Sequence, residues 1–128
     1  MQRCPCCNAR LPAAPICSRC GADLGRAMRC ELLAKLWLAL SVQTLNAGQP
    51  DIAVSAINRS LSFKQTQTAQ LFKSFLEPHQ YQVLYKHLAQ KQWQDARQTL
   101  VRLQVLLGDT ESLRRFHELI DYLSNNPA

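Results

Sequence analysis

The sequence predicts a mainly α-helical protein of about six helices, with a small cysteine-rich segment at its N-terminus. All six cysteines fall within the first 30 positions, where there is no aromatic residue. From Glu31 onward, glycine and proline become rare and apolar residues recur at helical spacing. A chain of 128 residues supports one ordinary core and a short appendage. We therefore divide it into residues 1–29 and a helical domain of residues 30–128.

Four of the cysteines form two Cys-x-x-Cys pairs, Cys4 with Cys7 and Cys17 with Cys20. Each pair can offer two thiolates from one tight turn, so that together they complete a tetrahedral metal site. Gly21 follows the second pair and permits the backbone angles that such a turn needs. Because so short a segment cannot build a hydrophobic core, we expect the metal to order it.

Two further observations concern the cellular location. No apolar stretch precedes Cys4, so we expect no cleaved signal and a cytoplasmic protein. In a reducing compartment, paired Cys-x-x-Cys motifs favour a metal over disulfides, which are the alternative. The apolar run from Leu32 to Leu45 contains Lys35 and is shorter than the roughly 20 residues of a membrane-spanning helix. We expect no transmembrane segment.

The pattern Cys-x2-Cys-x9-Cys-x2-Cys-Gly resembles the short zinc ribbon family between about Arg3 and Leu24. Four protein ligands leave no open coordination position, so the resemblance implies one structural Zn²⁺, although four thiolates also accommodate iron. It implies as metal ligands Cys4, Cys7, Cys17 and Cys20, and as the surrounding apolar residues Leu11, Ile16 and Leu24.

The two remaining cysteines have several interpretations. Cys6 lies inside the first pair and is either a bystander or a redox or ligand-exchange thiol. Cys30, at the entrance to the first predicted helix, is interpreted as a small buried or half-buried hydrophobic residue.

The helical half divides at glycines and prolines. Gly48 and Pro50 separate the first two helices, Pro78 begins the fourth, and Gly108 followed by Asp109 separates the last two. The predicted buried stripes of the six helices are Leu33, Leu36, Trp37, Leu40 and Thr44; Ala53, Ala56, Ile57, Ser60 and Leu61; Leu71, Phe72, Phe75 and Leu76; Tyr81, Leu84, Tyr85 and Leu88; Trp93, Ala96, Leu100, Leu103 and Leu107; and Leu113, Phe116, Ile120 and Leu123.

Two of the predicted hairpins are similar at an offset of 43 residues, which aligns Ala53 with Ala96 and Arg59 with Arg102. The first copy resembles a tetratricopeptide repeat in the placement of its large and small packing residues. It departs from that family at Ser41, where glycine is usual, and the offset exceeds the family's roughly 34 residues. The alternative is a generic helical bundle. The resemblance implies antiparallel hairpins stacked into a surface for protein segments.

The net charge of +6 raises the question of an acidic partner. Basic residues of the helical half either form a groove for an acidic protein segment or belong to a solvated surface. The N-terminal segment carries five arginines and one aspartate, Asp23, but four thiolates with Zn²⁺ reduce its charge to about +2. The candidate partner-binding residues are Arg59, Lys64, Lys73, Lys86, Lys91, Arg97 and Arg102.

The sequence therefore predicts a non-enzymatic, zinc-binding adaptor or assembly factor that binds a protein partner through its helical domain. No phosphate loop, nucleophile motif or histidine–carboxylate metal motif indicates a small-molecule substrate. Two alternatives remain: a nucleic-acid-binding regulator that uses the arginines of the ribbon, and a thiol redox or metal-handling protein that uses Cys6.

Overall fold

The computed structural model describes residues 2–11 and 15–125, and the outer ends of the two predicted domains, at positions 1 and 128, lie outside these ranges. Five helices, rather than six, account for most of the described residues. Among these residues there is no strand, only two isolated antiparallel bridges before the first helix. The helices are α1 (Gly25–Asn46), α2 (Pro50–Phe63), α3 (Gln67–Ala89), α4 (Trp93–Leu107) and α5 (Glu111–Asn125).

The predicted break at Pro78 is wrong, because α3 continues through it. Proline leaves the carbonyl of the residue four positions earlier, Ser74, without its helical partner. Ser74 is exposed, so water can satisfy that carbonyl. On either side of the proline, Leu76 and Leu84 are fully buried in the core, and this packing holds both halves of α3 in place.

The first helix begins at Gly25, earlier than the predicted start near Glu31. Leu24 and Met28 pack against the cysteine-rich segment, and the amide of Met28 donates to the carbonyl of Leu24. The first turn of α1 is thus stabilised by the segment that precedes it. Cys30 lies within this helix and is half-buried.

Short hydrogen bonds join α1 to α2. The hydroxyl of Ser41 donates to the carbonyl of Ala53 at 2.6 Å, and the hydroxyl of Ser60 donates to the carbonyl of Ala34 at 2.6 Å. Seven residues back along α1, from Ser41 to Ala34, correspond to seven residues forward along α2, from Ala53 to Ser60, as antiparallel helices require. All four of these small residues are buried, so the two backbones approach closely.

This close contact decides which side of α1 is buried. The predicted stripe is wrong for Leu33, Leu36 and Leu40, which are exposed to solvent. Since a large side chain would not fit where the serine hydroxyl meets the facing backbone, α1 turns its small residues toward α2. The predicted stripe of α3 is also wrong in part, because Leu71 and Phe75 are exposed. In contrast, all five residues predicted for the α2 stripe are buried.

The turns of the two hairpins share their backbone hydrogen bonds at an offset of 43 residues. The backbone amide of Gln49 donates to the carbonyl of Thr44, and the backbone amide of Gln92 donates to the carbonyl of His87. Gly48 and Lys91 occupy equivalent positions, and both have a positive φ, of 76° and 57°. Glycine adopts this conformation without strain, whereas lysine does so at some cost.

The second hairpin shares its core with α5. Leu84, Leu100, Leu103, Leu113 and Ile120 are buried in one cluster, with Tyr81, Trp93 and Phe116 packed against it. The amide of Leu113 donates to the Thr110 hydroxyl at 3.3 Å, so Thr110 rather than Asp109 caps α5.

A polar network inside the helical half centres on Arg102, which is only 8% exposed. Its guanidinium donates to the amide oxygen of buried Gln80 at 2.8 Å, to the hydroxyl of Thr99 at 2.9 Å and to a carboxylate oxygen of Asp51 at 3.1 Å. These partners lie on α3, α4 and α2, so a single side chain connects three helices.

Replacement of Arg102 with alanine should lower the free energy of unfolding by about 2–3 kcal/mol, because buried Gln80 loses its partner. Arg59 is the matched control: it occupies the equivalent position in the first hairpin but lies on the surface, 5.6 Å from the Trp37 ring centroid. Arg59→Ala should cost less than about 1 kcal/mol. Urea unfolding followed by circular dichroism measures both, and equal losses would contradict a special role for Arg102.

Candidate metal centre

The two Cys-x-x-Cys pairs lie on turns that share one backbone geometry at an offset of 13 residues. The amide of Asn8 donates to the carbonyl of Cys4, and the amide of Gly21 donates to the carbonyl of Cys17. Asn8 and Gly21 both have a positive φ, of 61° and 75°. Antiparallel bridges, Arg3 with Arg10 and Ile16 with Asp23, close the bases of the turns.

The role of Asn8 as the positive-φ residue of the first turn was not predicted from the sequence. A signal for it exists, because asparagine is one of the few residues other than glycine that enters the left-handed region readily. Its place one residue after Cys7 matches that of Gly21 after Cys20, so an alignment of the two turns with each other would have found it.

The structure brings together the four sulfur atoms of Cys4, Cys7, Cys17 and Cys20, all within 4.8 Å of one another. The Sγ atoms of Cys4 and Cys20 are 3.6 Å apart, and those of Cys7 and Cys17 are 3.7 Å apart. A tetrahedral zinc ion with Zn–S bonds of about 2.3 Å would place its sulfur ligands roughly 3.8 Å from one another. The sulfur spacing therefore fits a tetrahedral metal ion.

Backbone amides of the two turns lower the pKa of the first cysteine of each pair, Cys4 and Cys17. Hydrogen bonds from the amides of Cys20 and Arg19 lower the pKa of Cys17 to about 6. At Cys4 burial favours the neutral thiol, but the amides of Cys7 and Cys6 together outweigh it and lower the pKa. These two buried sulfurs are thus stabilised as thiolates, the form in which cysteine binds a metal.

Crowding has the opposite effect on Cys20. The amide of Ala22 lowers its pKa, but desolvation and hydrogen bonds to the other three thiols raise the pKa to about 12. Four sulfurs this close cannot all be ionised without a compensating positive charge. A divalent cation supplies that charge and replaces the shared protons.

The surroundings of the sulfurs are small and apolar. Leu24 is buried against Cys4 and Cys17, and Leu11 is half-buried beside them. The prediction that Ile16 packs there is wrong, because it is 55% exposed. Successive residues of an extended segment point to opposite sides, so the inward position of Cys17 turns Ile16 outward.

The remaining thiol of the segment, Cys6, is exposed. The neighbouring charge of Cys4 and desolvation raise its pKa. Redox thiols have lowered pKa values, because the thiolate is the reactive form. The environment of Cys6 is therefore unfavourable for the thiol redox alternative.

The seven basic residues proposed for partner binding are spread over α2, α3, α4 and the turns that follow α2 and α3. Four have partners within the described chain: Arg59 lies over Trp37, while Lys64, Arg97 and Arg102 form ion pairs with Glu31, Asp121 and Asp51. Lys73 and Lys86 are on the same helix but about 20 Å apart along its axis and about 140° apart around it.

One of the seven, Lys73, lines an open cavity of about 500 Å³ between α2 and α3. The walls of this cavity are mostly polar. Its lining residues are Asn58, Leu61, Ser62, Gln65, Gln70, Lys73, Ser74 and Glu77.

Across residues 2–11 and 15–125, no helix combines the length and the apolarity that a membrane span requires. Comparison with known proteins assigns no relationship: no protein-family model matches the chain, and neither the curated proteins nor the solved structures contain a significant match. The geometry of the sulfur cluster and the helical surfaces carries the functional information.

The reduced protein should bind Co²⁺ as a 1:1 complex, and replacement of Cys17 with serine should weaken that complex strongly. Changes beside a metal ligand typically weaken binding by about 10- to 100-fold, and loss of a ligand should weaken it at least as much. Tetrahedral cobalt–thiolate absorption measures the complex. The Cys6→Ser protein is the control and should keep the wild-type spectrum; loss of the spectrum in this control would contradict the assignment of the four ligands.

Proposed function

We propose that this protein is a non-enzymatic zinc-binding adaptor or assembly factor, in which a structural zinc ribbon is joined to a tetratricopeptide-like helical domain. The observation that carries the proposal is the cluster of four sulfurs with tetrahedral spacing. With four thiolate ligands a zinc ion has no open position for a substrate, so it stabilises the fold. The thiols must stay reduced, and a cytoplasmic location meets that condition.

Partner binding belongs, in this proposal, to the groove between α2 and α3. The groove is wide and polar, and its Lys73 side chain has no ion pair among the described residues. The equivalent hydrogen bonds of the two turns support stacked hairpins, an arrangement that offers such grooves to protein segments. An acidic residue of the partner would complement Lys73, and a basic residue would complement Glu77, which lines the same groove.

A nucleic-acid partner is the second candidate. Its support is the exposure of all five arginines of the ribbon and first helix, two of which, Arg3 and Arg10, face each other across a bridge. Directly opposed like charges repel and would gain from a phosphate between them. The arginines in question are Arg3, Arg10, Arg19, Arg26 and Arg29.

Elemental analysis of the purified protein should find one zinc per chain, and a red, iron-containing protein would contradict zinc as the native metal. Removal of the zinc by a chelator should unfold the ribbon, because structural zinc contributes on the order of 10 kcal/mol to such segments. Hydrogen exchange should then show lost amide protection in residues 2–24 and retained protection in α2 and α4. Unchanged protection of residues 2–24 would contradict a structural role for the metal.

Partner binding can be tested by affinity capture from a nuclease-treated native extract. The Lys73→Glu protein should lose the captured proteins, because the charge in the groove is reversed. Lys86→Glu is the matched control, with the same charge change on the same helix but away from the groove, and should retain them. Equal capture by both variants would exclude the groove, while capture that disappears with nuclease treatment would favour the nucleic-acid candidate.

A further inference from the structure

Between Leu32 and Val42 the first helix is apolar apart from Lys35 and Ser41, yet only one side of it is covered by the described chain. Ala34, Ser41 and Thr44 are buried toward α2. The opposite side consists of Leu32, Leu33, Leu36, Ala39 and Leu40, all of them exposed, and is called here the α1 outer face. A helix that is apolar all round is typically covered all round. The outer face therefore indicates an interaction surface.

The spacing on this face is that of a helix that pairs with another helix. Arg29, Leu33, Leu36, Leu40 and Gln43 follow one another at alternating intervals of four and three residues. This alternation keeps one seam of a helix in contact with a partner helix over several turns. Polar residues bound the seam at both ends, so the contact is about two heptads long.

The seam is symmetric about Leu36. In an antiparallel pair of identical helices centred there, Leu36 meets its own counterpart and Leu32 meets Leu40 of the partner subunit. The larger Leu33 meets the smaller Ala39 of the partner subunit, which allows the side chains to interdigitate. Such self-complementarity is what a two-fold interface requires.

Charge selects this orientation over the parallel one. In a parallel pair Arg29 would face the same arginine of the other protomer, and like charges at that distance repel. In the antiparallel pair Arg29 faces Gln43 of the partner subunit, whose amide oxygen can accept a hydrogen bond from it. The helix dipoles are also opposed in the antiparallel arrangement.

The exposed area sets the strength of the contact. Leu32 and Leu36 are each 56% exposed, and Leu33 and Leu40 are each 37% exposed. Together they present ~300 Å² of apolar surface, as much as the largest patch of a typical monomer. A symmetric pair would cover ~600 Å² of leucine surface together with Ala39 and the flanking side chains, which is in the range of weak, transient associations below ~1,200 Å².

From these observations we infer that two copies of this chain associate through the α1 outer face as a weak antiparallel dimer centred on Leu36. The expected dissociation constant is on the order of 10 μM, as small interfaces of this kind give. This surface lies on α1 and is distinct from both the sulfur cluster and the α2–α3 groove.

Sedimentation equilibrium of the full chain between about 1 and 500 μM measures the association. The mass should rise from 14.5 kDa toward twice that value. Leu36→Glu should remain a monomer throughout, whereas Leu71→Glu, which changes a still more exposed leucine on α3, should associate like the wild type. A wild type that stays monomeric at 500 μM, or a Leu71→Glu protein that is as dissociated as Leu36→Glu, would overturn the proposal.

A charge-exchange experiment tests the orientation. Leu32→Glu and Leu40→Lys should each weaken the dimer by more than about tenfold, because each places an unpaired charge in the seam. The double variant should recover association, since Glu at 32 then faces Lys at 40 of the partner subunit twice. In a parallel pair the same variant would place like charges together, so failure to recover would overturn the antiparallel arrangement. Circular dichroism confirms that each variant is folded.

Discussion

Two serine hydroxyls hold α1 and α2 at short range, and the arrangement of the helical half follows from that contact. Ser41 and Ser60 each donate to a carbonyl of the facing helix, next to alanines that occupy little space. A buried hydroxyl without a partner would be costly, so the two hydrogen bonds allow only a narrow range of positions for the pair. As a result, the leucines on the opposite side of α1, which a generic bundle would bury, remain exposed and can contact another molecule.

The cysteine-rich segment has too few apolar residues to build a hydrophobic core. It contains no aromatic residue, and its apolar cluster consists of Leu24 and Leu11 with the cysteines themselves. Two copies of one turn geometry bring four sulfurs together, and the backbone amides of these turns stabilise thiolates at the first cysteine of each pair. A metal ion bound by these sulfurs would take the place that a hydrophobic core has in larger domains. Because α1 starts directly from Leu24, the order of this segment and the start of the helix are connected.

Sequence patterns predicted the residues of the sulfur cluster more fully than they predicted how the helices pack. The four cysteines could be chosen from their spacing alone, since Cys-x-x-Cys places two sulfurs on one turn regardless of the rest of the chain. Pro78 was misleading because proline disfavours a helix interior only by a few kcal/mol, which the burial of Leu76 and Leu84 offsets. Arg102 was misleading as well, since no local pattern distinguishes a buried arginine from its exposed equivalent Arg59.

The sequence by itself determined the cysteine pairs, the helical character from α1 onward and the helix ends at Gly48 and Gly108, because these depend on residues that are neighbours along the chain. Tertiary structure alone decided which face of α1 is buried, that α3 is continuous, and that Arg102 connects α2, α3 and α4. These features depend on residues distant along the chain, such as Ala34 with Ser60 and Asp51 with Arg102. Helical periodicity shows that a helix has an apolar side, but the middle of α1 is apolar on more than one side, so periodicity could not indicate the side that packs.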